Sequence, residues 1–296
     1  MGGYTMKKVT KKTHKKSSIA KIVMNLPVSL WMILLVAVPF VYVFIISFLQ
    51  KGTYGGVKLE FSIENYKDIM DPLYLNIFAK SFLFSIIVTL ICILVAYPFT
   101  YFIAQKTTIK KAVFISMVTI PLMVSSLIRL FSWINLLRKD GILNNFLMDI
   151  GFIKEPLQLV YNDIGSIIGL VYLLIPFMIL PLYSSIEKLD KSLLEAASDL
   201  GANPVKAFFK VTLPLTAPGI FAGSILVFIP SLGLYYVTDL LGGSKTQLIG
   251  NLIKNQFITA RNWPVGAALS IFLIVITLIL VRIYQKSGGN MDELGV

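Results

Sequence analysis

The chain has 296 residues, of which 56% are apolar and only 14% charged, against roughly 25% charged in an ordinary soluble domain. With a mean hydropathy of +0.79, this excludes a disordered chain and argues against a soluble globular enzyme, whose surface needs more charge. The net charge of +12 points to nucleic acid in a soluble protein, but to lysines held on one side of the bilayer in a membrane protein. Position decides between the two.

In chain order, residues 1–21 form a basic tail with seven lysines and the single histidine, His14. The charge-free run 22–50 follows. It is too long for a signal-peptide apolar region and lacks a small-x-small cleavage site after it, so it reads as a retained first span. Further charge-free runs cover 81–105, 112–128, 164–186, 211–238 and 262–281. A helix needs about 20 apolar residues to cross the hydrocarbon core. The third run is short, but beyond Arg129 it stays apolar to Leu137. The expected spans are therefore 22–50, 81–105, 112–137, 164–186, 215–238 and 262–281, an all-α integral membrane protein with six transmembrane helices. Barrel strands would alternate in polarity, and these runs do not.

Prolines interrupt the runs at Pro39, Pro98, Pro121, Pro176 and Pro230, and Gly219, Gly223 and Gly233 accompany Pro230 in the fifth. This reads either as a bundle bent around a pathway or as the ordinary Gly and Pro content of membrane helices. The single cysteine, Cys92, lies inside an apolar run, so no disulfide or thiolate metal cluster forms within the chain.

Sorting charges by side fixes an expected orientation. The tail, the loops after spans 2 and 4, and the C-terminus carry 16 basic and 6 acidic residues, while the opposite side carries 10 and 9. By the positive-inside rule both termini are cytoplasmic. The expected organisation is a basic cytoplasmic tail (1–21), a transmembrane domain (22–284) with the cytoplasmic loop 187–214, and a C-terminal tail (285–296). The lysine tail is expected to meet membrane lipid rather than nucleic acid.

The loop 187–214 is long for a simple turn. Ser192 with Glu195 three residues on has the spacing of a capping box. Gly201 suits a helix stop and Pro204 the first turn of a second short helix, which carries Phe208 and Phe209. Such a helix pair, with an apolar face, is built to dock on a partner. The spacing Glu195-Ala196-Ala197-x-x-x-Gly201, nine residues, then Val211-x-Leu213-Pro214 resembles the signature of the membrane subunits of ABC importers, with Val211 where Ile is usual. Ser126-Leu-Ile-Arg129, the stretch from Gly169 to Pro176, Tyr236-Val-Thr-Asp239 and Leu248-Ile-Gly-Asn251 extend the likeness. Specifically, the sequence from Leu26 to Tyr284 is similar to the polyamine (spermidine/putrescine) importer permeases, the first of the two in that system.

The resemblance implies a type I ABC importer permease fold and three partners: a homologous second permease, an ATPase subunit dimer, and an extracytoplasmic polyamine-binding protein. It implies that Glu195, Ala196, Ala197, Gly201, Leu213 and Pro214 form the element that couples to the ATPase. No cofactor is expected in this chain, because ATP and Mg belong to the ATPase. Gly242-Gly-Ser-Lys-Thr246 only looks like a phosphate loop, since Ser precedes Lys245. One histidine, in the tail, leaves no basis for a His-ligated metal or a catalytic triad, so the chain is expected to be a transport subunit and not an enzyme.

A polyamine pathway needs acidic groups and aromatic faces. Asp239 with Tyr235 and Tyr236 at the outer end of span 5 are the candidates, and Tyr172 and Trp133 are further aromatic ones; the alternative is an interfacial tyrosine belt with Asp239 capping an outer loop helix. Arg129 ill suits a cation path and is expected to make a structural pairing. Glu60, Glu64, Asp68 and Asp71 form an acidic outer stretch, either solvated or facing the binding protein. Competing readings are an importer for iron, an amino acid or an anion, and a secondary transporter, which would show internal repeats and more mid-membrane charge.

Overall fold

The computed structural model describes residues 26–243 and 246–286. The basic tail, Ser244 and Lys245 of the phosphate-loop look-alike, and most of the C-terminal tail lie outside the described residues. Helix α1 (Leu26–Ile46) leads into a short antiparallel hairpin, β1 (Leu49–Lys51) and β2 (Val57–Phe61), and a single turn of helix, α2 (Glu64–Ile69). Buried Asn65 donates to the Ser47 and Leu49 carbonyls, at 3.0 and 2.8 Å, and ties hairpin to helix. Asp71 then caps α3 (Pro72–Ala104), accepting from the Leu73 amide at 2.8 Å, with Pro72 at the first position, where a missing N–H costs nothing.

Helix α4 (Thr108–Thr119) ends in a 3-10 turn (Ile120–Met123), and α5 (Ser126–Leu137) and α6 (Ile142–Asp149) follow. The expected continuous third span is instead broken: the two halves meet at 99°. Pro121 occupies the 3-10 turn, and Val124 and Ser125 are extended, so the helical ladder stops there. Helix α7 (Asp163–Glu187) and α8 (Lys191–Asp199) precede the long α9 (Pro204–Gly233). Beyond it come α10 (Tyr235–Val237) with a π turn (Thr238–Gly242), α11 (Ile249–Ile258) and α12 (Trp263–Lys286). Among the described residues, five helices are long and apolar enough to cross a bilayer, and the bent pair makes a sixth if counted as one span.

Two prolines leave the same mark. Before Pro39 the Val38 amide reaches back to the Ile33 carbonyl, and before Pro214 the Leu213 amide reaches back to Phe208. Each is an i to i−5 bond. The proline ring crowds the carbonyl four residues back, and a π turn relieves the crowding by widening the ladder by one residue.

Helices α3, α7 and α9 form the core. Phe84, Val88, Cys92 and Ala96 make an i, i+4 ridge on α3, packed with Leu170, Leu174, Met178 and Leu182 of α7 and Val227 of α9. Gly219 and Gly223, one turn apart, allow α9 to touch α7: a Cβ on Gly223 would sit 2.6 Å from Met178 Sδ, and one on Gly219 2.5 Å from Ser185 Cβ. These two glycines are spacers for close helix packing rather than pathway-lining residues. A second cluster, including Ile69, Phe78, Leu232, Ile249 and Leu269, fastens α2, α11 and α12 to the bundle.

Candidate functional site

The helix pair of residues 187–214 is where the expected docking element lies. Asp190, not Ser192, is the cap: its carboxylate accepts from the Ser192 amide at 2.9 Å, and the helix starts at Lys191. The expected Ser192–Glu195 capping box therefore does not form. An aspartate already in extended geometry two residues earlier takes the first free amide. That backbone hydrogen bond also pulls the Asp190 carboxyl below its ordinary pKa. Glu195 and Ala196 are left exposed on the helix, with Ala197 half-buried.

Gly201 stops α8 at φ +79°. The Ala202 amide bonds back to the Ala197 carbonyl (3.0 Å) and the Gly201 amide to Ser198 (2.9 Å), the paired bonds of a Schellman stop. Asn203 then caps the second helix through the Lys206 amide at 2.8 Å, with Pro204 in its first turn. The stop places Leu193, Leu200, Val205 and Phe209 in the open, Leu200 at 89% exposure. Four exposed apolar side chains on one short helix pair form a contact surface without a covering partner among the described residues.

The other side of the pair is fixed to the bundle. Phe208 packs edge-to-face on Tyr97 of α3 at 5.5 Å and on Tyr101 at 6.3 Å. About two turns on, Thr216 shares a 2.8 Å hydrogen bond with the Tyr97 hydroxyl. Leu213 packs on the core while Pro214 is exposed. Nearby, Glu187 at the end of α7 accepts from Lys111 (3.1 Å) and from Tyr183 (2.7 Å), which holds α4 to the same end. The second helix of the pair runs on through the π turn into the rest of α9, and Phe208 joins that stretch to α3.

The candidate pathway residues separate into two groups. Trp133 and Tyr172 lie 5.2 Å apart at 58°. With Arg129, Ser132 and Leu136 they line a cavity of about 220 Å³. The Arg129 guanidinium lies 5.7 Å from the Tyr172 ring centroid, and its Nε is buried with no hydrogen-bond partner among the described residues. Tyr236 belongs with this group, its hydroxyl donating to Ser126 Oγ at 3.3 Å.

Tyr235 and Asp239 face the other way. Asp239 accepts from Asn251 Nδ2 and from Lys254 Nζ, both at 2.7 Å, and Lys254 lies 5.8 Å from the Tyr235 ring. Asn251, 3% exposed, also accepts from Thr238 at 2.8 Å and donates to the Tyr235 carbonyl at 3.2 Å, so it stitches α10 to α11. Sequence reasoning gave no role to Asn251 or Lys254. Their partner Asp239 lies 12 and 15 residues away in sequence and meets them only in the folded chain. On the acidic stretch 60–71, Glu60 is paired with Lys58 and Asp71 is spent on its cap.

The fold is that of type I ABC importer permeases. A chain of a bacterial alginate ABC transporter, crystallised in complex with an alginate pentasaccharide-bound periplasmic protein, matches with a TM-score of 0.74 over 92% of this chain and 96% of that one, at 17% identity. The family described as binding-protein-dependent transport system inner membrane component matches residues 17–288, and the chain belongs to that family. It is 45% identical over 263 residues to the spermidine/putrescine transport system permease protein PotB of Haemophilus influenzae, covering 89% of this chain and 92% of the relative. Against PotB of Escherichia coli the figure is 42%, over 89% and 96%. The chain is a multi-pass bacterial cell-membrane protein and a transport subunit.

Proposed function

We propose that this chain is one permease subunit of an ATP-driven importer of polyamines, spermidine and putrescine being the cargo. The observation that carries the reading is the 45% identity to a spermidine/putrescine permease along nearly its whole length. The importer comprises a homologous second permease, two ATPase subunits that bind ATP and Mg, and an extracytoplasmic binding protein. Both termini and the helix pair of 187–214 face the cytoplasm, as the lysine distribution requires.

The exposed surface around Leu193, Leu200, Val205 and Phe209 seats in the ATPase, with Glu195, Ala196 and Ala197 on the docking face. Gly201 sets the angle of the pair, and Leu213 and Pro214 pass the motion on along α9. Trp133, Tyr172 and Tyr236 offer aromatic faces to a cationic cargo, and Tyr235 with Asp239 forms an outer station. Asp239 is already held by Lys254, so an incoming ammonium competes with a tethered one. Labelled spermidine uptake in a strain lacking this chain, with and without the wild-type gene restored, tests the cargo. The reading expects uptake only with the gene; undiminished uptake without it overturns the assignment.

A further inference from the structure

At the junction of α3 and α4, on the same end of the bundle as the exposed helix pair, Phe102, Lys106, Ile109, Lys110, Val113 and Phe114 line a cavity of about 440 Å³. Its floor is aromatic: the Phe102 and Phe114 rings meet edge-to-face at 6.1 Å. Its rim is cationic. The Lys106 ammonium sits 3.8 Å from the Phe102 centroid, and neither it nor Lys110 meets a carboxylate among the described residues. Lys111, the next residue, is different: it turns inward and is matched by Glu187. The chain thus neutralises the lysine facing the bundle and leaves two unmatched around an apolar hollow.

We propose that this hollow binds an anionic phospholipid of the surrounding bilayer. Depth is the first argument. The 33-residue α3 is about 50 Å long, well beyond a hydrocarbon core of about 30 Å, so its last turn and the turn to α4 emerge among the headgroups. The second is complementarity. A phosphate between the Lys106 and Lys110 ammoniums gains two charge-assisted contacts, and an acyl chain runs down over Phe102, Val113 and Phe114. Ile109, 80% exposed, becomes a lipid contact instead of an apolar group in water. A zwitterionic lipid brings its own ammonium into a rim that is already positive, so phosphatidylglycerol or cardiolipin is preferred over phosphatidylcholine. The bound lipid lies beside the Lys111–Glu187 contact that fixes α4 to α7, and so beside the base of the exposed helix pair.

The test uses the full-length chain extracted in mild detergent with its co-assembled subunits, transferred to nanodiscs of phosphatidylcholine with and without phosphatidylglycerol. Co-purifying lipid is measured by native mass spectrometry. The wild type is expected to retain phosphatidylglycerol, the Lys106→Gln/Lys110→Gln variant to lose affinity about thirtyfold, and the Lys106→Arg/Lys110→Arg variant to keep it. A Lys154→Gln control, at the other end, should change nothing. Equal retention of both lipids by the wild type, or undiminished phosphatidylglycerol on the double Gln variant, overturns the proposal. So does loss of a co-assembled subunit from that variant without loss of lipid, because the hollow would then be a protein interface.

Discussion

Lys254 decides how Asp239 must be tested. An ammonium 2.7 Å from the carboxylate means that Asp239→Asn both removes a negative charge and releases a lysine, so a loss of uptake alone does not separate pathway from scaffold. Lys254→Gln completes the comparison. If Asp239 serves the cargo, Asp239→Asn lowers spermidine uptake while Lys254→Gln, which frees the carboxylate, preserves or raises it. Equal losses in the two variants would make the pair purely structural. Asn251 is the structural reference point. Its truncation to Ala strands the Leu248 amide, at a cost of about 1–3 kcal/mol, while the Thr238 hydroxyl keeps the Tyr235 carbonyl as its acceptor. A lowered thermal midpoint of the purified protein is the expected result.

Asp190 gives a pH signature at the same scale. Its folded pKa is depressed by the Ser192 amide, so its capping contribution is fully present above the ordinary carboxylate range. It is lost as pH falls through the depressed value, below about pH 4. Hydrogen exchange at the start of α8, corrected for the intrinsic rate, should speed up there, and Asp190→Ala should show the faster exchange already at neutral pH.

At the scale of the element, α9 is a lever with two fixed points. Phe208 on Tyr97 and Tyr101 is one, and the Gly219–Gly223 contact with α7 is the other. A Gly223→Val side chain cannot fit beside Met178 without separating the helices, so folded yield should fall sharply in detergent extracts. Phe208→Ala should behave differently. It leaves the α7 contact intact and removes the aromatic link to α3, so the protein should accumulate normally in the membrane but transport poorly. A normal uptake rate in Phe208→Ala would show that motion does not pass through this contact. The helix pair itself was largely legible in the sequence, because Gly201, Asn203 and Pro204 are local signals that a backbone obeys without tertiary help. Its first cap was misread, since Asp190 and Ser192 are both good caps and only the entry angle of the chain from α7 selects between them.

At the scale of the whole molecule, charge-free runs located the long helices because a bilayer penalises charge along the entire span. The same criterion is blind to direction, so the 99° bend at Pro121–Ser125 left no trace in it. The hairpin lies between charge-free runs, where Val57-Lys58-Leu59-Glu60-Phe61 alternates in polarity, as a strand should, so the absence of charge does not register it. The site divides along the same line. The contact surface of the helix pair depends on neighbours in sequence and was readable. The Asp239–Asn251–Lys254 network depends on a chain reversal and was not.

The central claim is that the helix pair of 187–214 couples a partner ATPase to polyamine movement. It is met most directly by ATP-dependent accumulation of labelled spermidine in proteoliposomes holding the assembled transporter and its binding protein, comparing wild type with Gly201→Asp. At φ +79° an aspartate is strained by about 1–2 kcal/mol, and its charge falls on the docking surface. The expected result is accumulation by the wild type and loss of at least tenfold in Gly201→Asp, with the variant inserted at normal abundance. Equal accumulation by both would contradict the account.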